Sequence, residues 1–225
     1  MDIFEKNFDN VWHRVEKARI QTNEHAIIKI VAVSKYVGPK EIEALYKIGQ
    51  RAFGENRVQD LKQKMDELEE LPLEWHFIGR LQKNKINHLL DLSPALMQSC
   101  DSLELAKEID KRAKAKDKRL DILLQINSAK EESKAGVMPE IAKDIYLQIE
   151  QECSNLNLKG VMSIGAHSED TKKIQNSFEI TYKIFEDLKK NGAKICSMGM
   201  SGDFELAIKC GSNMLRLGSV LFTPQ

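Results

Sequence analysis

The chain has 225 residues, 34 Lys plus Arg against 34 Asp plus Glu, and 42% hydrophobic residues. An even charge balance argues against a dedicated nucleic-acid binder, which normally carries a basic excess, and the apolar fraction is too high for intrinsic disorder. No apolar run approaches the ~18 residues of a membrane helix, and the opening MDIFEKNFDN lacks the apolar region of a secretory signal.

Phe4 to Gln21 carries apolar residues at roughly helical spacing, which predicts an N-terminal helix. A β-rich run at 26–33 predicts a strand, and Pro39 opens a helix over 41–48 that stops at Gly49. The pattern then repeats: strand 51–53, helix 57–71, strand 74–78, helix 82–90, strand 96–98 and helix 102–115. Strand 121–126, helix 139–152, strand 158–162, helix 171–190, strand 193–196, helix 203–210 and strand 214–217 complete it. Eight strands separated by helices imply a parallel sheet, because each crossover returns the chain to the same end. Eight such units close into a single (β/α)8 TIM barrel. An open doubly wound sheet is the alternative. With no linker in the sequence, one domain is expected over 1–225, the first helix packing on the barrel, in a cytoplasmic protein.

Cys100, Cys153, Cys196 and Cys210 form no CxxC pair, and no His pair has metal spacing, so reduced buried thiols and no metal site are expected. Function in this fold sits at the C-terminal strand ends. In strand one, Val31, Val33 and Lys35 share a face. If the valines point inward, Lys35 stands at the mouth, where desolvation favours its neutral, nucleophilic amine. The bland alternative is a solvated lysine. Glu55 and Asn56 would overhang the mouth from strand two, or serve only as turn and cap. His76 fits a barrel-interior histidine with a satisfied hydrogen bond at least as well as a functional one. Arg80, Lys83 and Lys85 would attract an anion or merely start a helix. The turns after strands seven and eight carry Ser201, Gly218 and Ser219 and suit a phosphate, with Arg216 one step deeper. An amine, an arginine and a phosphate cradle together suit pyridoxal 5′-phosphate (PLP).

VAVSK (Val31–Lys35), FGEN (Phe53–Asn56), WHFIG (Trp75–Gly79) with Leu81-Gln82 and Asn84-Lys85, SMGMSGD (Ser197–Asp203) and RLG (Arg216–Gly218) resemble motifs of the YggS/PROSC family of PLP homeostasis proteins. Gln125-Ile126-Asn127 with Glu131, Ser133, Lys134 and Gly136 fits too, so the likeness spans about Ile27 to Phe222. It implies a barrel like the N-terminal domain of bacterial alanine racemase and PLP held as an aldimine on Lys35. It further implies Arg216 at the pyridine nitrogen, Ser201, Gly218 and Ser219 at the phosphate, Asn56 near the ring hydroxyl, and Met200 and His76 near the cofactor face. Ser219 stands where the family usually has Thr, Arg57 where it has Tyr, and Ser163-Ile164-Gly165 replaces an Ile-Pro ending. The last two put rim contacts in doubt.

An arginine at the ring nitrogen only donates, so the ring is a poor electron sink and transamination is not expected. Racemisation needs a second base on the opposite face, which the racemases take from another domain; one barrel of length leaves no room for it. The leading expectation is therefore a carrier without efficient catalysis, with no catalytic residue, that stores PLP and delivers it to apo PLP-dependent enzymes. A single-domain amino-acid racemase using Tyr36 or His76 is the alternative, and a PLP-free interaction protein the third. The resemblance and the balanced charge lean towards a monomer.

Overall fold

The computed structural model describes residues 3–223. Eight strands pair in parallel, each with the next in sequence, and the last returns to the first, so the sheet closes. They are β1 Lys29–Val33, β2 Ala52–Glu55, β3 Glu74–Phe77, β4 Leu96–Cys100, β5 Leu120–Ile126, β6 Leu156–Ser163, β7 Ile195–Ser197 and β8 Met214–Leu217. Closure is carried by Ile30 opposite Leu215, Val31 opposite Arg216 and Ala32 opposite Leu217, which excludes the open sheet. The helices are α1 Ile3–Thr22, α2 Pro39–Lys47, α3 Val58–Glu67, α4 Ile86–Leu92, α5 Leu103–Ala115, α6 Pro139–Glu152, α7 Thr171–Leu188, α8 Phe204–Lys209 and α9 Ser219–Phe222.

Several boundaries shift from the pattern reading: β1 starts at Lys29 rather than residue 26, β4 runs on to Cys100, β6 covers Leu156–Ser163 and β7 Ile195–Ser197, and three further shifts bear on the site. β2 continues to Glu55 instead of ending at Phe53. The helix expected from residue 82 opens with a separate 3-10 turn, Lys83–Lys85, whose leading residue Gln82 makes no side-chain cap. The helix expected to reach residue 71 ends at Glu67, and the chain turns there with the Leu71 N–H on the Leu68 carbonyl.

Alternation along the strands sorts the core into two parts. Val31, Ala52, Leu96, Leu123, Met162 and Met214 pack together inside the barrel. Ile30, Ala32, Phe53 and Phe77 face outward and bury against the helical layer, including Ile42, Leu45, Leu61 and Phe178. Each of the Ile, Leu and Phe side chains contributes about 1.5–3 kcal/mol by leaving water. α1 lies across α8, α9 and α2. Its Val11 and Val15 are fully buried, and Arg14 reaches Glu205 on α8 through two hydrogen bonds of 3.1 and 2.7 Å. Asn7 donates to the Leu221 and Thr223 carbonyls and so holds the last turn in place. Among the described residues no helix is long and apolar enough to cross a membrane.

Candidate functional site

At the C-terminal end of the barrel lies a cavity of about 640 Å³. Seven expected residues line it: Lys35, Asn56, Met200, Ser201, Arg216, Gly218 and Ser219. They arrive from four strand ends, β1, β2, β7 and β8. Val33, Ile78, Met162 and Ile164 supply apolar wall between them.

Lys35 follows β1 by two residues, on the face of Val31 and Val33. Its ammonium lies 4.8 Å from the centre of the Tyr36 ring. Tyr36 itself is 87% exposed. The backbone before Lys35 is clamped from behind. Ser34 Oγ donates to Glu55 Oε1 at 2.6 Å, and Lys64 Nζ on α3 donates to the same oxygen at 2.6 Å and to the Ser34 carbonyl at 2.7 Å. Glu55 therefore does not overhang the mouth. Gly54 faces the interior, towards Val31 and Ile78, so its neighbour Glu55 turns outward and is completely buried under the helices.

Asn56 is positioned by close backbone approach. A Cβ on Gly79 would lie 1.9 Å from the Asn56 carbonyl oxygen, so only glycine fits there. The β7–α8 turn needs Gly199 at φ +93°, where a Cβ would also strike Ala207 at 2.7 Å. Asp203 Oδ1 accepts from the Met200 N–H at 2.6 Å and shapes this turn, and burial pushes the Asp203 carboxyl above its ordinary range. Ser201 joins the two cradle loops, its Oγ accepting from the Gly218 and Val220 N–H groups at 3.1 and 3.3 Å. A Cβ on Gly218 would meet nothing nearer than Val33 at 3.6 Å. The protein itself would tolerate a side chain there, so the glycine leaves open space in the cradle.

Arg216 is 5% exposed. Its Nη1 donates to Ser197 Oγ at 2.6 Å and its Nη2 to the Ser163 carbonyl at 2.7 Å. Burial pulls its pKa down to about 10, against the attraction of Asp203, so it stays charged at neutral pH. Of the unusual residues, Ser163 thus touches Arg216 through its backbone and Ile164 lines the cavity. Arg57 does not line it. With Arg80 and Lys85 it borders a neighbouring depression of about 470 Å³ that shares Asn56. Lys83 pairs with Glu104. The motif from Gln125 to Gly136 also stays outside the cavity lining, and Asn127 shapes that loop by donating to the Glu131 and Lys134 carbonyls.

His76 is the exception among the eight. It is fully buried inside the barrel, and the depression it borders lies at the opposite, N-terminal end, with Lys29, Glu74, Asp121 and Lys159. Its Nε2 lies 2.8 Å from Glu74 Oε1 and its Nδ1 2.8 Å from Gln98 Nε2. The expectation of His76 beside a cofactor face is corrected to an interior histidine with both nitrogens partnered. Sequence reading missed Lys64 and Gln98, which hold the loop of Lys35 and, through Ser197, the head of Arg216; it singled out Ser197 only as the start of the Gly/Ser turn and not as a partner of Arg216. A lysine in the α3 pattern and a polar residue in β4 were the signals for the first two.

The cavity fits a phosphorylated aldehyde. Two cations, Lys35 and Arg216, line it with no carboxylate among the described lining residues, and the cradle offers hydroxyls beside space that only a glycine leaves. Fold and mouth together define a racemase-type (β/α)8 barrel built to hold an anionic ligand near an amine. The chain belongs to the alanine racemase N-terminal domain family, whose model matches residues 7–225. It is 56% identical over 219 residues to the pyridoxal phosphate homeostasis protein of Helicobacter pylori, covering 97% of this chain and 98% of that one. It is similar to PipY of Synechococcus elongatus, solved with PLP bound, at 31% identity and TM-score 0.80 over 93% of this chain and 98% of that one. Alanine racemase from Clostridium difficile, at 18% identity and TM-score 0.74, shares the fold over 95% of this chain and 56% of its own.

Proposed function

We propose that this protein binds PLP at the barrel mouth and serves PLP homeostasis, storing the cofactor and passing it to apo-enzymes without efficient turnover of its own. The observation that carries the reading is the convergence of seven expected residues from four strand ends on one cavity. Lys35 supplies the amine for the aldehyde, Arg216 faces the ring nitrogen, and Ser201, Gly218 and Ser219 take the phosphate, with Asn56 and Met200 along the ring. When bound, PLP supplies an aldehyde that combines reversibly with amines. The PLP-bound PipY structure and the name of the Helicobacter relative support the cofactor.

The lining also favours storage over catalysis. Racemisation needs proton-transfer groups on opposite faces of one carbon. Among the described lining residues there is no imidazole and no carboxylate, and Tyr36 sits on the same wall as Lys35. Reducing the PLP-treated protein with borohydride and mapping peptides tests the binding. A pyridoxyl group on Lys35, absent from Lys35→Ala, is expected; label scattered over surface lysines would overturn the reading. Fast solvent-deuterium exchange at the α-carbon of an added amino acid would instead favour the racemase.

A further inference from the structure

The polar residues inside the barrel form a file. Arg216 Nη1 donates to Ser197 Oγ at 2.6 Å, and Ser197 Oγ donates to Gln98 Oε1 at 2.7 Å. Gln98 Nε2 meets His76 Nδ1 at 2.8 Å, and His76 Nε2 meets Glu74 Oε1 at 2.8 Å. Lys29 Nζ closes the far end on Glu74 Oε2 at 2.6 Å. Ser197, Gln98 and His76 are each completely buried, so water does not complete their bonding.

The direction of donation is fixed from the Glu74 end. An ionised carboxylate only accepts, so the neutral imidazole must place its proton on Nε2, which leaves Nδ1 an acceptor. Gln98 must then turn its NH2 group to His76 and its oxygen to Ser197. The second N–H of that amide agrees, since it points at the Met214 sulfur at 3.4 Å and a thioether only accepts. The Ser197 hydroxyl is thereby spent on Gln98, and its lone pairs face Arg216. Among the described residues no carboxylate is hydrogen-bonded to Arg216, so the file also links its buried charge to the anion at the other end of the barrel.

We propose that Gln98 and His76 are positioning residues for Arg216, and that Glu74, at the opposite end of the barrel, sets the polarity of the hydrogen-bond file that orients the guanidinium towards its ligand. The ligand half of this inference rests on the PLP reading above; the file itself does not.

The test uses nitrogen-15 NMR of the cofactor-free protein together with PLP titration. In the native protein His76 is expected as the single Nε2–H tautomer. Glu74→Gln, whose amide both donates and accepts, should mix the two tautomers, shift the Arg216 guanidinium signals and weaken PLP binding about threefold. Gln98→Leu should break the file and weaken binding about tenfold, equivalent to about 1.4 kcal/mol. Asp121→Asn is the control: it borders the same N-terminal depression and pairs with Lys159, but lies off the file, so it should change neither signal. Ser197→Ala removes one hydroxyl and replaces Gln98→Leu if that variant fails to fold. Unmoved Arg216 signals and an unmixed His76 in Glu74→Gln would overturn the proposal. If the native protein bound no PLP, the proposed function would fall while the NMR comparison still decided the file.

Discussion

Lys64→Met should be among the most damaging single changes outside the cavity. Glu55 is fully buried, and its Oε1 accepts from Lys64 and from Ser34 at 2.6 Å each, while its Oε2 has no partner among the described residues. Removing the ammonium leaves a buried carboxylate stabilised by one hydroxyl. Breaking a buried pair this way costs about 3–5 kcal/mol, because the remaining charge has lost both water and its counter-ion. Typical domain stabilities are about 5–15 kcal/mol, so this is a large share of the total. Neutralising the survivor reverses the logic: Lys64→Met with Glu55→Gln keeps an acceptor for Ser34 and buries no charge, so it should recover most of the loss. Urea unfolding of Lys64→Met, Glu55→Gln and the double variant, followed by circular dichroism, gives all three differences and closes a double-mutant cycle. A cost below about 1 kcal/mol for Lys64→Met, or a double variant no more stable than the single one, would refute the assignment of Glu55 as a buried anion held by Lys64. Because Lys64 also holds the Ser34 carbonyl, the single variant should label less fully at Lys35 even where it is still folded.

Acid should destabilise the protein in two stages. Burial holds His76 below its ordinary 6.5, and the hydrogen bond from His76, with that from Lys29, holds Glu74 at about 2, below 4.5. Both folded values lie below the unfolded ones, so the unfolded chain takes up protons first and stability falls with pH. The loss begins below pH 6.5 through His76 and continues from pH 4.5 towards 2 through Glu74, alongside other carboxylates lowered by their ion pairs, such as Glu205 beside Arg14; urea midpoints should trace it, and Glu74→Gln should shrink the lower stage. A midpoint constant from pH 7 to 3 would count against both assignments. The cysteines should be inert in the native state: burial pushes Cys100 up to about 12, Cys153 and Cys210 to about 11, and Cys196 higher still. An aromatic disulfide reagent at pH 8 should modify none of the 4 thiols until denaturant is added, and a fast-reacting thiol in the native protein would contradict their burial.

The barrel was legible because its signals are local. Each strand is a short apolar run, each helix an amphipathic one, and Lys35, two residues beyond Val33, inherits the inward parity of β1. Parity misled where a strand end was misplaced: with β2 read as stopping at Phe53, nothing fixed the side of Glu55, and two more strand residues turn it outward. Depth was harder still. Arg216 and His76 each stand one residue before the end of an inward-facing strand, yet only Arg216 lines the mouth. Inward side chains from odd and even strands fall in alternating layers, so depth depends on the stagger of the closed barrel as well as on place in a strand. β3 reaches the cavity with Ile78, and His76 belongs to the layer beneath. The partners of that deeper layer lie far apart in the chain: Gln98 and Ser197 are separated by 99 positions. Read separately, one is a polar residue in a strand and the other a strand terminus. Only closure gives them a shared hydrogen bond, and that bond joins a histidine fixed by a carboxylate at one end of the barrel to the guanidinium at the other.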